Sequence, residues 1–567
     1  MTPRAIFFVF SRSRLNIRGK PVCTDFNRTP FSGRSSHSLK LYSSWSSKYN
    51  YSQSFPYGFV SIGVISLSSL LFLKSKNEIC FAKEKECKKD ENTEVVAGNF
   101  IQGLPVYGME EVEKHKTVND RIWVTFKEGV YDVTDFVEEH PGGSKLLLAA
   151  GGSVEPFWNL YAAHHTNEVY NILESFRIGN LKFESKKSGP APEANNPYAN
   201  DPQRHPVLIP AARKPFNAEP PASLLVDEFF TPNEVFYVRN HLPVPDIKAE
   251  DYRLEVSGIG VKTKTFTLKD LKKFPKHSVI ATVQCAGNRR SEMTQVKNVK
   301  GLKWNHAAIG NAKWTGVRLK DVLKACGYKE NPEVAHVQFE GYDTGPDGLP
   351  YGGSVPARKV FDPSREVLLA YEMNDRELSR DHGYPIRVII PGIVGARNVK
   401  WLSKIILSDE ESYSFWQTSD YKGFNPSTDW DTVDFSASPA IQDLPVNSAI
   451  CLPENGEKVN VIDGSILVRG YAWSGGGNEI IRVDVTTNKG EKWYIADLMQ
   501  GEEKDRPWSW ALWSIVIPVD TTQEEVEIWV KAVDASYNTQ PESFEHIWNL
   551  RGLLANAYHK VKVKLAK

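Results

Sequence analysis

Cysteine is scarce in this chain of 567 residues: Cys23, Cys80, Cys87, Cys285, Cys326 and Cys451 are the only six, and no two form a Cys-x-x-Cys pair. That excludes a zinc ribbon and a dense disulfide scaffold, so a cysteine that matters chemically acts alone. Excess charge is missing as well. The 69 Lys and Arg residues balance 69 Asp and Glu, which removes the basic surface that non-specific nucleic-acid binding requires. No nucleic-acid partner is expected. Wholesale disorder is excluded too, because 41% hydrophobic and 24% charged residues are ordinary for folded chains. At roughly 150 residues per domain the length predicts about three or four domains.

Acidic residues are rarest at the start. From Met1 to Asn50 only Asp25 is acidic, against Arg4, Arg12, Arg14, Arg18, Lys20, Arg28, Arg34, Lys40 and Lys48 in a Ser-rich background. This is the composition of a mitochondrial presequence. An apolar run from Tyr57 to Leu73 follows and ends at Lys74 and Lys76. At 1.5 Å per residue it reaches ~25 Å, slightly short of a ~30 Å hydrocarbon core. A presequence followed by such a sorting segment predicts transient inner-membrane anchoring of the precursor and delivery to the mitochondrial intermembrane space. The alternative is a matrix protein with a long leader. Residues 1–95, including the charged spacer Lys83 to Glu94, are therefore read as an address.

Three folded blocks follow. Residues 96–182 carry strands such as Arg121 to Phe126 and Gly129 to Val133, then short helices. Residues 183–204, with Glu184 to Pro202 rich in Pro, Ala and Asn, have no periodicity that buries a face, and read as a flexible linker of roughly 25 Å root-mean-square reach. Residues 205–425 mix strands (Ser278 to Val283, Pro385 to Ile390) with short helices (Leu319 to Cys326), an α+β pattern. Residues 426–567 alternate like a half-buried sheet, with Val526, Ile528 and Val530 on one face and Glu527, Trp529 and Lys531 on the other. Similar strands at Ile466 to Tyr471, Ile480 to Val485 and Ser514 to Val519 predict an all-β immunoglobulin-like sandwich.

In the first block, His140-Pro-Gly-Gly143 follows an acidic turn and His164 comes 24 residues later. Histidines on separate helix–loop units can face each other across a flat cofactor, and Pro141 with two glycines lets backbone approach it. With Val130 to Phe136 and the closing Ile178-Gly-Asn-Leu, the block resembles the cytochrome b5 family. That resemblance implies haem b held by His140 and His164. Adjacent His165 is a rival that spacing does not separate. Two protein ligands leave iron no open position, so electron transfer is the expected role. Asp132, Asp135, Glu138, Glu139 and Glu155 would suit docking to a basic partner.

The middle block carries Val283-Gln-Cys285-Ala-Gly-Asn-Arg-Arg290, a strand running into a loop with one thiol beside Arg289 and Arg290, neighbours that favour thiolate. Around it lie Phe236 to His241, Glu340 to Asp343, Arg380 to Arg387 and Gly392 to Trp401. Loops rich in Gly, Arg, His and Asn supply donors for a phosphate and a polar heterocycle. Together these motifs resemble the sulfite oxidase family of molybdopterin enzymes, from about Pro206 to the C-terminus. The resemblance implies Cys285 as the thiolate ligand of molybdenum in a molybdenum-molybdopterin cofactor. It implies a pterin site at Tyr237, Val238, Arg239, Asn240, His241, Asp343, His382, Arg387, Asn398, Val399 and Lys400. It places an oxyanion at Arg239, Arg290, Trp304, Tyr421 and Arg551. The implied activity is oxidation of sulfite to sulfate, with electrons leaving through the haem to cytochrome c, in a homodimer joined by the C-terminal domain.

Nitrate reductases share both modules, but place the b5-like block after the molybdenum domain and before a flavin reductase that these residues cannot contain. Plant-type members lack the haem block. A tethered haem carrier with an inert rear module is the alternative of a different class, and the intact Cys285 speaks against it.

Overall fold

The structure, a computed structural model, describes residues 97–161, 164–182, 196–501 and 507–566. The expected presequence, the apolar segment 57–73 and the linker residues 183–195 lie outside the described residues. Among the described residues no helix is long and apolar enough to cross a membrane.

The first block is a five-stranded sheet in the spatial order Val106–Tyr107, Arg177–Leu181, Gly129–Asp132, Trp123–Phe126, Gly152–Ser153. Two expected strands form its hairpin: Phe126 pairs with Gly129, and Lys127 at φ 49° supplies the left-handed turn that a two-residue loop needs. Ile122, Val124, Tyr131 and Leu173 bury one face against short helices at Gly143–Ala149, Glu155–Trp158 and Asn167–Ser175. The last of these starts at Thr166, whose hydroxyl accepts the Val169 N–H at 3.3 Å, an N-cap typically worth ~1 kcal/mol.

The central block holds two larger sheets and a small one. The strand His277–Gln284 runs antiparallel to Ile309–Arg318. Its inward Val279, Ala281 and Val283 pack with Trp304 and Trp314, and the strand stops one residue short of Cys285. A second sheet orders Lys264–Thr267, Arg253–Gly258, Leu402–Ser408, His336–Thr344 and Pro350–Pro356. Residues 196–204, the end of the expected linker, are fastened to this block. Arg204 forks onto Asp381 with two 2.9 Å bonds, and Arg380 Nη1 donates to Asn200 O at 2.8 Å.

The C-terminal block is a sandwich. One sheet orders Asn447–Leu452, Ser465–Trp473, Ala511–Pro518 and Asp497–Met499; the other orders Lys458–Asn460, His559–Ala566, Glu525–Asp534, Ile480–Thr486 and Tyr494–Ile495. Val526, Ile528 and Val530 face inward. Trp529, expected on the outer face, is only 9% exposed, because its cross-strand partner Lys560 lays its ammonium 3.7 Å from the ring centroid. A lysine stem and a cation over an indole cover the ring without moving it to the core.

Candidate active site

His140 and His164 face each other with ring centroids 6.1 Å apart and planes 11° from parallel, a spacing into which one flat macrocycle fits. Each Nδ1 has a backbone partner: Gly142 N–H at His140 (3.1 Å) and Tyr161 O at His164 (3.1 Å). Such contacts fix ring orientation; at His164 the Nδ1–H donates to the carbonyl and leaves Nε2 for a metal, whereas His140 Nδ1 accepts the Gly142 N–H, so ligation through its Nε2 would require the proton to leave that nitrogen. Burial lowers the pKa of both rings, favouring the neutral, ligating form. His165 instead meets the Tyr170 hydroxyl at 3.2 Å on the surface.

Cys285 caps the buried strand and is 5% exposed. Its backbone N–H donates to Ala308 O at 2.9 Å, and the Gly287 N–H points at its Sγ from 3.5 Å. The thiol lies where two cavities meet. The first is lined by Tyr237, Arg239, His241, Asp343, His382, Arg387, Asn398 and Lys400, among others. Asp343 Oδ1 and Arg387 Nε are buried there with no hydrogen-bond partner among the described residues. Burial raises Asp343 to about 7 and lowers Lys400 to about 7, and lowers Arg387 to about 10. Buried groups of this kind are stable when a polar ligand completes their bonds; the donor set suits a phosphate-bearing heterocycle. Beneath the cavity, Asn240 donates to Asp381 Oδ1 at 3.0 Å and accepts from Lys400. The side chains of Val238 and Val399 turn into the core.

The second cavity is lined by Arg239, Arg290, Arg551, Trp304, Asp420, Tyr421 and Cys285. Three guanidinium groups face one carboxylate, Asp420, which pairs with Arg551. The remaining positive charge makes this an anion pocket. Burial, then Arg290 and Arg239, lowers Arg551 to about 10. Arg290 is held from every side: its Nε donates to Arg551 O (3.0 Å) and Gly552 O (3.2 Å) and its Nη1 to Leu302 O (2.9 Å). A Cβ on Gly287 or Gly301 would stand 2.6 Å from this guanidinium, so both positions need glycine. Trp304 is fully buried, and its Nε1–H lacks a partner among the described residues. Tyr421 links the two cavities, its hydroxyl 2.6 Å from His241 Nε2 and 3.4 Å from Arg239 Nη2.

Arg289 does not flank the thiol as its sequence position suggests. It is fully buried and turns to the sandwich, donating to Asn447 Oδ1 (2.8 Å), Ala557 O (2.7 Å) and Glu292 (2.7 Å). A left-handed backbone at φ 67° sends it one way and Arg290 the other. Sequence reasoning passed over Asp420; its place beside Tyr421 was the available signal.

Residues 108–182 match the cytochrome b5-like heme/steroid binding domain, residues 241–416 the oxidoreductase molybdopterin binding domain, and residues 438–566 the Mo-co oxidoreductase dimerisation domain. The chain is 54% identical over 533 residues to the mitochondrial sulfite oxidase of Drosophila melanogaster, covering 92% of each. It is 52% identical over 461 residues to that of Homo sapiens, covering 81% of this chain and 84% of the human one. Among solved structures, the sulfane dehydrogenase SoxCD of Paracoccus pantotrophus superposes with a TM-score of 0.52 at 26% identity, over 65% of this chain and 87% of its own.

Proposed function

Since the chain belongs to the sulfite oxidase family, we propose that it oxidises sulfite to sulfate at the cavity pair around Cys285 and passes the electrons out through a b-type haem. The observation that carries this reading is the thiol's position between an anion pocket and a cavity suited to the pterin. Cys285 would hold molybdenum. Asp343, His382, Arg387 and Lys400 would hold the pterin and its phosphate, and His140 and His164 the haem iron. When bound, the molybdenum centre takes the two electrons of sulfite and the haem relays them singly.

The protein's own part is electrostatic. Arg239, Arg290 and Arg551 collect a dianion from water and fix it beside Cys285. Because Arg290 is immobilised by carbonyl groups and flanking glycines, it needs no reorganisation as charge shifts during reaction. Burial and Arg239 keep His241 neutral, so its Nε2 can accept the Tyr421 hydroxyl and hold that phenol between the two cavities.

Cytochrome c, a basic one-electron acceptor, is the proposed partner for the acidic residues of the haem block. The leader composition and the mitochondrial relatives support a mitochondrial location, and the presequence followed by an apolar segment supports the intermembrane space. The dimerisation domain match supports a homodimer. Purified holoenzyme should contain haem and about one molybdenum per chain and reduce cytochrome c when sulfite is added; haem without molybdenum and without sulfite-dependent reduction would leave only a haem carrier. Within the haem site, His140→Ala and His164→Ala should each abolish the low-spin optical spectrum. Loss with His165→Ala instead would reverse the ligand assignment.

A further inference from the structure

The segment between the two facing histidines is docked on the central block. Lys145 Nζ and the Tyr161 hydroxyl both reach the carboxylate of Asp227, the latter at 2.6 Å. His205 Nε2 meets Pro156 O at 3.0 Å, and the Phe157 ring stands edge-on to His205 with centroids 5.4 Å apart. Leu148, Phe157, Leu160 and Tyr161 close over Val207, Leu224 and Val235. Every one of these haem-block residues lies between His140 and His164.

Two connections give the contact chemical meaning. On the haem side, Tyr161 offers its hydroxyl to Asp227 and its carbonyl to His164 Nδ1 at 3.1 Å, so one residue joins the dock to a facing imidazole. On the other side, His205 follows Arg204, whose fork on Asp381 reaches a wall of the cavity proposed for the pterin. Lys400, also in that wall, donates to Asp381 O at 2.7 Å. None of the docking residues lines the arginine-rich pocket, so the anion's path stays open while the dock is made.

We propose that this face, latched by Asp227, is where the haem domain receives electrons, from the pterin side of the catalytic cavity and away from the sulfite entrance. The proposal rests on the haem-relay reading above. A haem held by His140 and His164 would take electrons across this face one at a time, the second after the external acceptor had removed the first. One carboxylate shared by two donors is a weak latch, open often enough to release the haem rim to that acceptor.

Full-length holoenzyme with Asp227→Lys tests the dock. Hydrogen exchange at residues 145–161 and 205–208 should rise. Single-turnover haem reduction by sulfite should slow at least about tenfold, the shift expected from losing one charge-assisted hydrogen bond. Sulfite KM with a small artificial acceptor should hold. Adding Lys145→Glu to Asp227→Lys should restore protection and rate. Unchanged exchange would mean that the contact does not form in solution, and faster haem reduction would mean that it withholds the haem; either overturns the proposal. Wild-type haem that sulfite cannot reduce would instead defeat the relay reading, a separate result.

Discussion

Two adjacent guanidinium groups after Cys285 do opposite work. Arg290 stays at the pocket, while Arg289 anchors the same loop to the sandwich. Cys285→Ser should therefore leave this scaffold and the haem spectrum intact, yet nearly abolish sulfite oxidation, because a hydroxyl is a harder and less acidic donor than a thiol. A variant retaining a tenth of wild-type turnover would remove Cys285 as ligand. Arg551→Met deletes one cation from the anion pocket and frees Asp420. Loss of a charged hydrogen bond is typically worth ~1.5–3 kcal/mol, so sulfite KM should rise roughly ten- to a hundred-fold with haem spectrum and metal content unchanged. A stable KM with a lower melting temperature would make Arg551 a tie between strands only. The carbonyl groups that aim Arg290 stand 261 and 262 residues away, but the strand-to-loop placement of Cys285 was legible from its local motif. Arg289 was not: its partners Asn447 and Ala557 stand 158 and 268 residues away, and no local pattern reports that.

At the scale of elements, the seam between catalytic block and sandwich holds two imidazoles, His559 buried and His306 half-buried. His306 precedes the strand Ile309–Arg318, and His559 opens the last strand; their centroids are 4.6 Å apart. Arg289 and Glu292 face them. Burial lowers His306 from its usual 6.5 to about 4, and lowers His559 well below 6.5. A folded value below the unfolded one means that the unfolded chain binds more protons between roughly pH 6.5 and 4. Stability is whole above 6.5 and is lost as pH falls, by about 3 kcal/mol from His306 alone. Thermal unfolding followed from pH 7.5 to 5 should show this decline, and His306→Gln should make it shallower; equal slopes would place the acid sensitivity elsewhere. The sandwich strands were readable from alternation because one face is buried, while Trp529 shows where alternation misleads: a cross-strand lysine covered it.

For the whole molecule, the order of blocks was legible from composition and motifs, whereas the docking of one block on another depends on surface residues such as Asp227 that carry no pattern. The proposed linker sets how far the haem block travels after release. Removing about ten residues from it would cut its root-mean-square reach by a factor near √2; intramolecular electron transfer measured by flash photolysis should slow while sulfite affinity holds, and rates indifferent to length would eliminate a travelling domain. The same chain order has a consequence for biosynthesis. The carbonyl groups that aim Arg290 belong to Arg551 and Gly552, and Leu554 N–H closes on Ala286 O beside Cys285. A chain still being made would carry every residue proposed for the pterin side, from Tyr237 to Lys400, before the carbonyl groups that aim Arg290 exist. Closure of the catalytic centre is thus a late event in chain order: the groups that aim Arg290 follow it by 261 and 262 residues, so the loop after Cys285 stays unaimed until the distant segment has folded back on it.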